Sequence, residues 1–241
     1  MAGITDAEFL IKVIPCGFDV VTLGGYSLDE KTVEASLKII ERGRKEFHYE
    51  LDEIIPHIEN EVRSIKTAYP DVRVSANVRS ASPEPIIEAS KIKGLDIIEI
   101  NCHCRQEEII AIGCGQEMLK RPDLFEYISL ITENAESEVS VKMRANVEGI
   151  DTLETAKLIE RAGADYLHID AMDPTCMDAD WECLRDICAN TDIKVIGNNS
   201  INSVEKVRKM YECGVFGFSI ARAVISGTLD FNINSVNTNL Y

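Results

Sequence analysis

The sequence predicts a parallel α/β fold, a (β/α)8 barrel whose first strand is truncated or absent. Three observations carry that expectation. A helix–glycine–strand unit recurs three times with one spacing. Short apolar runs alternate with helical patterns along the chain. Polar residues gather where the apolar runs end. Strands alternating with helices give parallel sheets. In a parallel barrel the chemistry sits where strands run into their following loops.

The first strand pattern covers 19–23. A long, charged helical stretch follows over 28–69, with Pro56 interrupting it, and reads as two helices between the second and third barrel strands. As an insertion it serves as a surface elaboration or as a lid or partner surface. The next strand covers 72–77. The repeat begins at Ser82, where Pro83-Glu84-Pro85 opens a helical pattern that Gly94 ends before a strand at 95–101. A strand at 139–143 precedes the second unit. There Asp151 leads a helix with apolar Leu153, Ala156, Ile159 and Ala162, Gly163 stops it, and 165–169 is the strand. A strand at 193–197 precedes the third. Asn202 leads a helix with Val204, Val207 and Met210, Gly214 stops it, and 216–220 is the strand.

The span from cap to glycine is the same each time, 82 to 94, 151 to 163 and 202 to 214. Asp151/Glu154 and Asn202/Glu205 have capping-box spacing. Glycine supplies the left-handed residue that closes a helix. A doubly wound open sheet is the competing architecture, but no GxGxxG follows an early strand.

Composition bounds the rest. The chain has 241 residues, 45% of them hydrophobic, enough for one domain over 1–241 with an ample core. No apolar run approaches the ~20 residues of a membrane span. The opening residues have neither the basic nor the apolar region of a signal peptide, so the cytoplasm is expected. Eight cysteines without a CxxC pair read as reduced thiols. Cys102, His103, Cys104 and Cys114 do not have zinc-site spacing, and no metal is expected. The net charge of −16 lacks the basic footprint of a nucleic-acid binder. It argues against a large, unassisted RNA interface and leaves room for a local basic cleft.

The segment 100–106, Ile-Asn-Cys-His-Cys-Arg-Gln, puts an amide and thiols at the end of an apolar run. A thiol there acts as a general acid or as a nucleophile, depending on its pKa. Cys102 and Cys104 fall on the same side of an extended segment, so either is a candidate. Lys142 ends an apolar strand and reads as a site cation or as a snorkelling rim lysine. His168 stands at another strand end.

Taken in order, these segments resemble dihydrouridine synthases. Asn101 and Cys104 fall on the family's Asn-x-x-Cys-Pro, with Arg105 in place of Pro. The opening Met1-Ala2-Gly3-Ile4-Thr5-Asp6 resembles Pro-Met-Ala-Gly-Val-Thr-Asp, the loop after the first strand, which is why that strand is expected to be missing or short. Asn77 stands where the family has Gln. Residues 113–119 resemble Gly-x-Gly-x-x-Leu-Leu, and Val141-Lys142-Met143-Arg144 resembles Val-Lys-x-Arg. His168-Ile169-Asp170 resembles His-x-Arg, and Ala179-Asp180-Trp181 matches Ala-Asp-Trp. Residues 197–201 resemble Gly-Asn-Gly-Asp-Ile, and Ile220-Ala221-Arg222-Ala223 resembles Ile-Gly-Arg-Ala.

The resemblance implies a TIM barrel that binds FMN, reduced by a nicotinamide donor. It implies hydride transfer to C6 of a uracil-like ring and protonation of C5 by Cys104. Met1, Ala2, Asn77, Asn101, Lys142 and His168 would meet the flavin ring, with Lys142 at its N1–O2 edge. Asn198, Asn199, Ser200, Ala221 and Arg222 would hold the phosphate. The layout is that of a short archaeal-type branch without the C-terminal helical domain that grips tRNA. The substrate is then tRNA or a small pyrimidine. The chain departs from the family at Asn199, Ser200 and Ala221, which replace glycine or small residues, and at Asp170, which replaces a cation. Two alternatives stay open: a flavin oxidoreductase on a small pyrimidine, as in dihydroorotate dehydrogenases, and a barrel that has lost flavin and catalysis.

Overall fold

A computed structural model describes residues 2–176 and 178–236. Seven strands form one all-parallel sheet in chain order. They are β1 (Val20–Ser27), β2 (Arg73–Arg79), β3 (Ile97–Cys102), β4 (Glu138–Arg144), β5 (Tyr166–Asp170), β6 (Lys194–Asn198) and β7 (Gly217–Ser219). The helices are α1 (Ala7–Val13), α2 (Glu30–Glu41), α3 (Leu51–Ala68), α4 (Glu84–Ala89), α5 (Glu107–Ile110), α6 (Leu124–Asn134), α7 (Thr152–Arg161), α8 (Trp181–Asn190) and α9 (Val204–Glu212). The sheet curls. The Arg73 guanidinium on β2 donates at 3.0 Å to the Tyr166 hydroxyl on β5, three strands away. A flat sheet would set those backbones roughly 14 Å apart, at ~4.8 Å per strand.

The repeat read from the sequence is present. Gly94, Gly163 and Gly214 have φ of +86°, +86° and +89°, a region that an L side chain enters only at a penalty. Asp151 caps α7, its carboxylate accepting the Glu154 N–H. The cap of α9 is Ser203, not Asn202: its hydroxyl accepts the Lys206 N–H. The first unit is shorter than expected, since α4 ends at Ala89 and a turn carries the chain to Gly94. The last strand is three residues, Gly217–Ser219, instead of 216–220.

Two helices do lie between β1 and β2, but the break falls at 42–50 and Pro56 sits inside α3. Proline forfeits one backbone hydrogen bond near the start of a helix. Burial of Ile54, Ile58, Val62 and Ile65 on one face of α3, each at most 3% exposed, outweighs that loss. This helix packs on β1, β2 and α1, while α2 packs on β1 and α5. Ahead of β1 the described residues form no strand. Thr5 makes one antiparallel bridge to Gly24, and α1 follows, capped by Asp6. Met1 lies outside the described residues. Among the described residues no helix is long and apolar enough to cross a membrane.

Candidate active site at the strand ends

Side chains alternate between the two faces of a strand. Glu99 and Asn101 on β3 therefore share a face, as do Ser140, Lys142 and Arg144 on β4, and His168 and Asp170 on β5. Parallel register aligns these sets: Asn101 lies beside Lys142 and Lys142 beside His168, while Arg144 lies beside Asp170 and Asp170 beside Asn198. The interior face thus turns from apolar to polar toward the strand ends.

One buried hydrogen-bonded chain runs through these ends. Asn101 Nδ2 donates to Asn77 Oδ1 at 2.7 Å, and Asn77 Nδ2 donates to Glu99 Oε1 at 2.8 Å. Glu99 Oε2 lies 2.6 Å from His168 Nδ1 and accepts from the Ser140 hydroxyl at 3.3 Å. His168 Nε2 lies 2.6 Å from the Ser219 hydroxyl, which also takes the Asn198 amide N–H at 2.7 Å. Asn101 Oδ1 in turn accepts the backbone N–H groups of His103 and Cys104, at 3.1 and 2.8 Å, and so shapes the loop after β3.

Burial opposes ionisation of Glu99. The charges around it, Lys142 among them, and the hydrogen bonds from His168 and Asn77 outweigh burial and hold its carboxyl well below the ordinary range. Burial and then Lys142 push His168 below the ordinary imidazole value. The pair is therefore a carboxylate accepting from a neutral imidazole, with the proton on Nδ1 and Nε2 accepting from Ser219. Glu99 is the residue that sequence reading missed. Its signal was a lone acid inside the run 97–100, in phase with Asn101.

The Lys142 ammonium makes no hydrogen bond or ion pair among the described residues, though its charge reaches Glu99, His168 and Asp170. Arg144 does: its guanidinium lies 3.2 Å from Asp170 Oδ2. The same oxygen lies 2.8 Å from His103 Nε2. Cys104 is half-buried on the loop and joins a small apolar cluster with Ala35, Ile39, Ile109 and Cys114. Cys102 is fully buried, and burial with the nearby Cys114 pushes its thiol up to about 12. That removes it as a ready proton donor at neutral pH. All eight cysteines are free.

At the far end, Asn199 and Ser200 have φ of +132° and +53° although neither is glycine. Asn199 Nδ2 donates to the Asp178 carbonyl at 3.1 Å. Ala221 leads a short turn of helix that carries Arg222, which is exposed and unpaired among the described residues. Ala2 lies in the turn that reaches β1 through the Thr5–Gly24 bridge. The structure thus brings Asn77, Asn101, Lys142, His168 and Asn198 to one polar end, with Glu99 at its centre.

A family model described as Dihydrouridine synthase (Dus) matches residues 53–230. An uncharacterised protein of Methanocaldococcus jannaschii is 35% identical over 96% of this chain and 89% of its own length. The tRNA-dihydrouridine synthase B of Vibrio vulnificus is 24% identical over 88% of this chain, which spans 62% of that relative's length. Among solved structures, a 2,3-dimethylmalate lyase of the PEP mutase/isocitrate lyase superfamily is similar with a TM-score of 0.56. It is 13% identical over 88% of this chain and 71% of its own, a likeness of fold alone.

Proposed function

The chain belongs to the dihydrouridine synthase family, and from that premise we propose that it is an FMN-dependent reductase of the C5=C6 bond of a uracil-type ring, built on an incomplete (β/α)8 barrel. The observation that carries this reading is Lys142. It stands at a strand end beside Asn101 and His168, with no partner in the protein among the described residues. A cation left in that position serves a ligand that gains negative charge, as a reduced flavin does at its pyrimidine edge.

The remaining residues fit the same group. Gly25 lets the backbone approach the Asn77 amide, for a Cβ there would meet Asn77 Oδ1 at 2.6 Å. Asn199 and Ser200 hold the left-handed backbone that a phosphate-cradling loop needs, in place of the family's glycine. Arg222 adds a free fork of donors for the phosphate. Asn77, His168 and Asn198 act mainly through the buried chain, which fixes Asn101 and keeps Glu99 ionised beneath Lys142. FMN held by these residues would supply hydride chemistry to the ring, with a nicotinamide as the source of the electrons. Cys104, held by Asn101 through its backbone N–H, carries on Sγ the proton destined for ring C5.

The substrate is a uracil within tRNA, as the relatives' names suggest, or a free pyrimidine. The net charge of −16 favours the second unless a partner or a local basic cleft supplies phosphate contacts. Titration of the purified chain with FMN tests the reading. Binding with the visible absorbance of a flavoprotein is expected, and Lys142→Met should weaken it. No flavin binding by the folded chain would end the proposal.

A further inference from the structure

His103 fills one of the two open positions of the Asn-x-x-Cys motif, and its side chain reaches β5 from the loop after β3. Its Nε2 lies 2.8 Å from Asp170 Oδ2, and the same oxygen meets the Arg144 guanidinium at 3.2 Å. The Asp170 and Arg144 side chains are each 11% exposed. Burial opposes a charge on Asp170, but the His103 hydrogen bond, Arg144 and Lys142 outweigh it and keep the carboxyl below its ordinary range. Burial, helped by Lys142 and Arg144 against the pull of Asp170, keeps His103 below the ordinary imidazole range. The pair at neutral pH is thus a carboxylate and a neutral imidazole.

A carboxylate can only accept, so it fixes the imidazole proton on Nε2. Nδ1 is then a lone-pair acceptor, and it has no partner among the described residues. The Lys142 ammonium, a donor, stands on β4 beside Asn101, two residues before His103, and its charge reaches the imidazole. Asp170 Oδ1 is buried without a partner as well. An acceptor and a cationic donor at the same pair of strand ends complement an imide edge, –CO–NH–CO–, in which an N–H is flanked by carbonyl oxygens.

We propose that His103, held in one tautomer by Asp170, is the specificity-determining acceptor for an imide N–H presented at this mouth. Two ligands carry that edge, a uracil-type base and the pyrimidine end of a flavin. Asp170 is the positioning residue. The inference rests on the flavin-family reading for the place of the ligand, but its chemistry is tested by binding alone.

The test measures equilibrium binding of uridine, N3-methyluridine and cytidine to the folded chain, and in a second arm FMN against N3-methyl-FMN. Wild type should favour the imide by about tenfold in one arm, the usual consequence of leaving a buried partner unsatisfied. The arm that shows the preference identifies the source. His103→Ala should abolish the preference, and His103→Gln, whose amide oxygen also accepts, should restore part of it. Asp170→Asn gives a sharper outcome. Arg144 claims the amide oxygen, so the NH2 faces Nε2 and the imidazole proton moves to Nδ1. The preference should then reverse toward cytidine, which presents an acceptor at N3. A merely structural role for the pair would weaken all ligands equally and leave the ratios unchanged.

Lowering the pH protonates Nδ1 and should erase the preference below the ordinary imidazole value of about 6.5. The groups facing His103 in that titration are Asp170, Arg144 and Lys142. Unchanged ratios in His103→Ala and Asp170→Asn, in both arms, overturn the inference. If flavin binds while those ratios stay fixed, the family reading survives and this one does not. If no flavin binds but uridine selectivity still depends on His103, the reverse holds.

Discussion

Glu99, 3% exposed in the middle of β3, meets three imposed partners: Asn77, Ser140 and His168. Its ionised state and the neutral state of His168 bear on stability in the same direction. His57, His103 and His168 are all held below the ordinary imidazole value, burial being the largest cause in each. As pH falls through about 6.5 the unfolded chain takes up protons that the native chain does not, so stability must decline. Glu99 has a depressed value, so its contribution is full above the ordinary glutamate value of about 4.3 and is lost as pH falls through its native one. Melting temperature should therefore drop in two stages on acidification, and Glu99→Gln should flatten the lower one. A melting temperature constant from pH 7 to 5 would contradict the histidine assignment. The two thiols separate by burial. Cys104→Ala should leave FMN binding intact and slow single-turnover reoxidation by a uracil substrate roughly 10²–10⁴-fold, the share of a general acid. Cys102→Ala should disturb packing and leave the chemistry. If Cys102→Ala were dead and Cys104→Ala normal, the proton would belong to the other thiol.

The helices of the repeat were legible at their ends. Glycine at a left-handed terminus and aspartate at a start are local chemistry, set by residues within one turn. Gly163→Ala should lower stability by about 1–2 kcal/mol, because φ of +86° is retained by the surrounding turn and the new Cβ would lie 3.2 Å from the Thr132 hydroxyl. Denaturant unfolding measures it, and a neutral result would mean that the turn relaxes. Pro56 misled because its effect is local and small beside the face it belongs to. Ile58, fully buried on that face, should cost about 2–5 kcal/mol when cut to alanine. The same contest decided the loop after β6. Asn199 and Ser200 read as departures from a glycine loop, yet the backbone takes positive φ there, held in part by the Asn199–Asp178 hydrogen bond.

At the scale of the molecule, charge and coverage bear on the substrate. The chain carries −16 and spans 62% of the length of its tRNA-dihydrouridine synthase B relative from Vibrio vulnificus. Isolated, it should bind tRNA weakly and with steep salt dependence. A filter-binding or anisotropy titration giving a sub-micromolar complex at physiological salt, without a partner protein, would show that a basic cleft outweighs the net charge.

The sequence by itself determined the parallel α/β class, the order of the strands, the glycine stops and the places of Asn77, Asn101, Lys142 and His168 at strand ends. These follow from periodicity and from chemistry within a few residues. Only the tertiary structure decided what those ends do to one another. Glu99 became the centre of a buried chain because sheet curl brings β2, β3, β5 and β7 within side-chain reach. His103 acquired a fixed tautomer because Asp170 and Arg144 arrive from β5 and β4. Such pairings join residues 67 and 69 positions apart, and no local pattern encodes the distance between them.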